Sequence, residues 1–167
     1  MKVKINLKPT IGFIGAGNMG LPMITNLIKK GFQVSVYDIN PKITKKIEKD
    51  NIKAVNNLRG VASNQFIISI LPDTQNVESV FNTDTGINSY LKPGTIVIDM
   101  STISSSSAIE IGKKLQKKQI EFLDAPVSGG VKGALNANLS IMVGGKKVTY
   151  NKSLDILKSL GENIIYA

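Results

Sequence analysis

The chain has 167 residues, 42% of them hydrophobic, which is enough for one sizeable core and too few for two ordinary domains. It contains neither Cys nor His, which excludes disulfides, thiolate or imidazole metal sites, and Ser-His or Cys-His nucleophiles. Its +9 charge is carried by Lys groups such as 42, 45, 46 and 49, or 113, 114, 117 and 118, with Arg59 the single Arg and no interleaved aromatics; such runs read as solvated helix faces rather than a nucleic-acid surface.

Thr10 to Gly15 is a short apolar run suited to a strand buried on both faces. It leads into Gly15-Ala16-Gly17-Asn18-Met19-Gly20, a G-x-G-x-x-G. Gly15 permits a tight turn, Gly17 leaves bare backbone against a pyrophosphate, and Gly20 lets the next helix pack close. A helix opening near Asn18 directs its unpaired N–H groups at the phosphates. Leu21, Ile24, Leu27 and Ile28 form an apolar stripe on that helix, which Gly31 stops. Gln33 to Asp38 alternates as a second strand. Asp38, 18 positions after Gly20, can accept both ribose hydroxyls of an adenosine and repel a 2′-phosphate, so NAD is favoured over NADP. The bland reading is an ordinary strand–turn–helix in which Asp38 only caps the next turn.

Asn40 and Pro41 read as the cap and first residue of a helix reaching about Asp50. Ile52 to Val55 is a weak strand and Asn57 to Ser63 a short helix. Phe66 to Leu71, closed by Pro72, reads as a buried parallel strand. Asp73 or Thr74 starts a helix to about Phe81, followed by a polar loop from Asn82 to Asn88. Thr95 to Asp99 is another buried strand. Ser104 is a cap for a helix with Ala108, Ile111 and Leu115 on its apolar face. Glu121 to Asp124, Leu139 to Val143 and Asn163 to Tyr166 are further strands, with a helix from about Lys147 to Leu160 before the last.

Strands alternating with helices predict a Rossmann-type α/β fold: a doubly wound, mostly parallel sheet with helices on both faces, as one domain over residues 1–167. Asp99 and Asp124 read as turn caps, and Met100 and Met142 as packing residues. No apolar run approaches the roughly 20 residues needed to span a bilayer, so no membrane role is expected. The opening MKVKINLKP lacks a secretory signal core, which points to a cytoplasmic protein, with a mature organellar one left open.

Three segments together, the glycine loop, Ile98-Asp-Met-Ser-Thr102 and Phe122-Leu-Asp-Ala-Pro-Val-Ser-Gly-Gly130 with the subsequent Leu139-Ser-Ile-Met-Val-Gly-Gly145, resemble the β-hydroxyacid dehydrogenase family. The likeness runs from about Ile11 to Ala167, and Asp-Ala-Pro-Val-Ser-Gly-Gly is its most specific string. It implies that Gly15 to Gly20 hold a pyrophosphate and that Asp38 holds the ribose. Leu71, Pro72 and Asn76 would line the cofactor cleft, and Thr102 would lie near the nicotinamide ribose. Ser128, Gly129 and Gly130 would bind the carboxylate or hydroxyl of a small anionic hydroxyacid.

The resemblance further implies a catalytic lysine on a helix beyond Ala167, in a helical domain with no counterpart here. No catalytic residue is therefore assigned; Lys132 and Lys146 lie near the substrate segment with nothing to fix them. The expectation is the NAD-binding half of an oxidoreductase, inactive alone. A homo-oligomer formed through the surface such a domain would cover stays open. The alternatives are a free-standing, non-catalytic NAD-binding module and an S-adenosylmethionine methyltransferase, the latter opposed by the Asp-Ala-Pro-Val-Ser-Gly-Gly string. No metal is expected.

Overall fold

A computed structural model describes residues 7–50, 52–82 and 84–167. The expectation about a leader at residues 1–6, and the surface placement of the Lys49 side chain, lie outside the described residues.

The four β-rich runs TIGFI, QVSVY, FIIS and IVID form the centre of the sheet. In chain order the strands are β1 (Thr10–Ile14), β2 (Gln33–Tyr37), β3 (Lys53–Ala54), β4 (Phe66–Ser69), β5 (Ile96–Asp99), β6 (Glu121–Asp124), β7 (Val127–Ser128), β8 (Leu139–Gly145) and β9 (Gly161–Tyr166). The helices are α1 (Gly20–Lys29), α2 (Pro41–Lys49), α3 (Leu58–Ala62), α4 (Thr74–Val80), α5 (Ser105–Gln116), α6 (Gly130–Asn136) and α7 (Lys147–Lys158). Strands β1 to β6 are parallel in the order β3-β2-β1-β4-β5-β6. β8 then runs antiparallel to β6, with β7 antiparallel and β9 parallel to β8.

The period of two along each strand separates two cores. Ile11, Phe13, Val34, Val36, Phe66, Ile68, Ile96, Ile98 and Leu123 pack on one face with α1, α2, α6 and α7. Ile14, Ile67 and Val97 pack on the other with Val61 and Ala62 of α3, Val77 of α4, and Ile111 and Leu115 of α5. This is the doubly wound Rossmann-type arrangement the sequence predicts. Helix starts are set locally: Asn40 Oδ1 accepts from Lys42 N at 3.0 Å, Asp73 Oδ1 from Asn76 N at 2.8 Å, and Ser104 Oγ from Ser107 N at 3.2 Å.

Several expectations are corrected. The buried face of α1 carries Met23, Ile24 and Leu27, while Ile28 is 39% exposed at its edge. The strand in the run Phe66 to Leu71 ends at Ser69: Ile70 N still donates to Ile14 O, but Leu71 N finds its partner in the Ser101 side chain rather than in strand backbone. The Ser-Gly-Gly segment links β7 into α6, a helix absent from the elements expected above. Part of the loop expected from Asn82 to Asn88 closes as a 3-10 turn at Ile87–Ser89. Met142 is 49% exposed, because the alternation of β8 turns it away from buried Ile141 and Val143; Met100, by contrast, is buried.

No described helix is long and apolar enough to cross a membrane.

Candidate functional site

The chain reverses its direction across the sheet between β1 and β4, and a crevice opens outside their carboxyl ends. Its space is about 590 Å³, within the range of small-molecule sites. The glycine loop contributes Gly15, Gly17, Asn18, Met19 and Gly20, the end of β2 gives Tyr37, Asp38 and Ile39, and the end of β4 gives Ile70, Leu71 and Pro72. Asn76, Ser79 and Val80 from α4, Ile43 of α2, Leu58 of α3 and Thr85 complete the wall.

The three loop glycines do different work. Gly15 has φ +95°, and a Cβ there would strike the Ile70 carbonyl. A Cβ on Gly20 would strike the Gly15 carbonyl, so α1 can start against the loop only without a side chain. A Cβ on Gly17 would meet nothing within 4 Å. That residue presents bare backbone to open space, which is what a phosphate group in van der Waals reach of main chain requires. Gly15 N donates to Tyr37 O at 3.0 Å, tying the loop to β2.

Asp38 Oδ2 accepts from Ala16 N at 2.8 Å, and Oδ1 from Asn40 N at 2.8 Å. The carboxylate therefore caps the next turn, as the bland reading held, and also fastens the glycine loop. Each oxygen carries two lone pairs, so each keeps one for a further donor. Ala16 is buried and takes part through its N–H rather than by lining the crevice. Asn76 lines it while its Nδ2 donates to Asp73 Oδ1 at 2.9 Å; these bonds to Asn76 hold the Asp73 carboxyl below its usual range. Thr102 and Ser128 to Gly130 are exposed on the same carboxyl edge but do not line this crevice.

Beneath the crevice lies a buried polar network that the sequence reading missed. Asp99, the last residue of β5, sits in register with Ser69 of β4 and Asp124 of β6. Its Oδ1 accepts from Ser69 Oγ and Ser101 Oγ, both at 2.7 Å, and from Ser101 N at 3.4 Å. Ser101 Oγ in turn accepts from Leu71 N at 2.9 Å. Burial raises the Asp99 carboxyl to about 6, against the lowering effect of the serine bonds. Burial also raises Asp124, whose Oδ1 has no hydrogen-bond partner among the described residues, so Asp124 caps no turn. The signal was available: polar residues in register closing two otherwise apolar strands. Ile43, Leu58, Val80 and Thr85 carried no such signal, because only the packing of α2, α3 and α4 brings them to the crevice.

Of the two lysines weighed in the sequence, Lys146 pairs with Glu121 at 3.0 Å, and Lys132 is exposed on α6.

A sequence profile of the family described as NAD binding domain of 6-phosphogluconate dehydrogenase matches residues 10–167. The chain belongs to that family. It is 38% identical over 160 residues to the mitochondrial 3-hydroxyisobutyrate dehydrogenase of Mus musculus, covering 95% of this chain and 48% of that protein. It is 37% identical over 158 residues to an NAD-dependent L-serine dehydrogenase of Pseudomonas aeruginosa, covering 94% and 53%. The structure of a Mycobacterium tuberculosis 3-hydroxyisobutyrate dehydrogenase with L-serine superposes with a TM-score of 0.89 at 34% identity, over 95% of this chain and 54% of that one. The NAD-binding domain thus spans about half the length of the curated relatives it matches.

Proposed function

We propose that the crevice binds NAD in preference to NADP, and that the chain is the cofactor half of an oxidoreductase moving hydride between NAD and a small β-hydroxyacid or its semialdehyde. The observation that carries the reading is the pairing of Gly17, whose missing Cβ faces open space, with Asp38, bonded to the same loop. The residues fit a dinucleotide in kind. Gly15 to Gly20 would face its pyrophosphate, and the free lone pairs of Asp38 would accept from the ribose hydroxyls. Leu71, Pro72 and Asn76 would bound it along the β4 side, with Thr102 further along the edge. Ile39, Ile43, Leu58 and Val80 offer apolar surface to a base ring. When bound, the nicotinamide supplies the hydride acceptor or donor.

The carboxylate of Asp38 would be left facing the second negative charge of a 2′-phosphate, which supports NAD over NADP. Ser128, Gly129 and Gly130 are proposed to meet the carboxylate or hydroxyl of the substrate, on the likeness to hydroxyacid and serine dehydrogenases. The proton that must accompany hydride transfer is assigned to no residue of this chain. Alone, the 167 residues are expected to bind cofactor and turn over hydroxyacids negligibly.

Fluorescence titration with NADH and NADPH tests the reading. NADH should bind at least about tenfold more tightly, equivalent to about 1.4 kcal/mol, and Asp38→Ala should bring the ratio towards one. Equal affinities in the parent, or an unchanged ratio in the variant, count against it.

A further inference from the structure

The wall of the crevice formed by Leu71 and Pro72 is not held by the sheet. The ladder of β4 ends at Ser69; Ile70 N still reaches Ile14 O at 3.1 Å, and the next amide, that of Leu71, faces the β5 side by strand alternation. Its partner is a side chain from another loop, the hydroxyl of Ser101, which is 2% exposed. A hydroxyl has one proton to give. Ser101 gives it to Asp99, so the oxygen's lone pairs are left for the Leu71 N–H. Asp99 is itself fully buried, and its Oδ1 accepts the Ser101 proton whether or not the Ser69 hydroxyl also donates to it. One carboxylate oxygen thus fixes the acceptor that fixes the wall.

The same wall bears on the glycine loop, since the Ile70 carbonyl stands where a Gly15 Cβ would be. The arrangement is costly for a mere turn. The Asp99 Oδ2 atom is buried without a partner among the described residues, and a neutral residue would close the turn without that cost. A perturbed, incompletely partnered buried carboxyl beside a cleft is a functional-site candidate.

We propose that Asp99 and Ser101 are positioning residues for the dinucleotide crevice: through the Ser101 hydroxyl they clamp the Leu71 amide and so set the width between the β4 wall and the glycine loop. The inference rests on the dinucleotide reading above. Neither residue touches the ligand; both act through Leu71.

The experiment compares the 167-residue parent with Ser101→Ala and Ser69→Ala. NADH affinity is measured by fluorescence titration, and exchange of individual backbone amides by NMR. Ser101→Ala should weaken NADH about two- to tenfold, the worth of one net hydrogen bond. It should speed exchange at Leu71 while the Met100 amide, bonded to Ser69 O at 2.8 Å, keeps its protection. Ser69→Ala removes a hydroxyl from the same carboxylate without touching Leu71, and should leave affinity within about twofold.

General loosening would instead speed both amides and make the two variants weaken NADH alike; that outcome overturns the clamp, as does unchanged affinity in Ser101→Ala. If Ser101→Ala does not fold, Ser101→Cys, close in size and a poorer acceptor, carries the same expectations. A parent that leaves NADH fluorescence unchanged overturns the dinucleotide reading and the clamp's role with it. A parent that binds, with Leu71 exchange unaltered in the variant, overturns the clamp alone.

Discussion

Replacing Asp99 by Asn should remove a pH dependence of stability that this one buried carboxyl imposes. Its folded value is about 6, against 3.8 for the ordinary carboxyl. Below 3.8 both states hold the proton and the group is neutral in its effect. Between 3.8 and 6 the folded chain keeps a proton that the unfolded chain has released, so stability falls as pH rises through that window. A difference of about two units at 1.36 kcal/mol each amounts to about 3 kcal/mol lost by pH 7.5. Asn cannot ionise and should show no such loss.

Asn carries its own penalty, because its amide hydrogens meet the partnerless space at Oδ2, but that penalty does not vary with pH. The quantity to measure is therefore a double difference. Urea unfolding of parent and Asp99→Asn at pH 4 and pH 7.5 should show the variant gaining about 2.4 kcal/mol on the parent between the two, since part of the loss has already occurred by pH 4. At a slope of about 2 kcal/mol/M, that is a relative midpoint shift of about 1.2 M. Every other carboxyl cancels, except the raised Asp124 alongside, whose repulsion is the smallest contribution to the Asp99 shift. Parallel pH profiles for the two proteins would refute the reasoning.

Gly17→Ala and Gly20→Ala should separate binding from folding. The first places a methyl in open space, so stability should stay within about 0.5 kcal/mol while NADH weakens about tenfold, readable by unfolding and titration on one sample. The second drives a methyl into the Gly15 carbonyl and should cost about 3 kcal/mol, the upper end of overpacking. Asn26→Ala deletes the Nδ2 bonds to Ala134 O at 2.7 Å and Leu135 O at 3.4 Å. It should cost about 1 kcal/mol in urea unfolding and speed amide exchange across α6.

The parallel part of the fold was legible because its signals are local. Four apolar runs, their closing Pro, Gly or Asp residues, and caps at Asn40, Asp73 and Ser104 are all short-range chemistry. The antiparallel turn of β8 was not, since nothing local fixes strand direction. α6 escaped because Val131, Gly133, Ala134 and Leu135 make a poor amphipathic stripe; the helix is held by tertiary contact with α1. At the crevice, the glycines and Asp38 were readable from spacing, whereas Ile43, Leu58 and Val80 meet only after three helices pack. The error at Met142 has the same origin: its alternation was visible, but which side of β8 is covered depends on where α6 and α7 pack.

Asn26 lies on the helix that springs from the glycine loop, and its amide grips the helix that springs from Gly130. Two segments 110 positions apart in sequence, Gly20 and Gly130, are thereby tied together through a side-chain hydrogen bond between the helices they begin. Whatever the two loops come to hold, the distance between them is set during folding, before any ligand arrives.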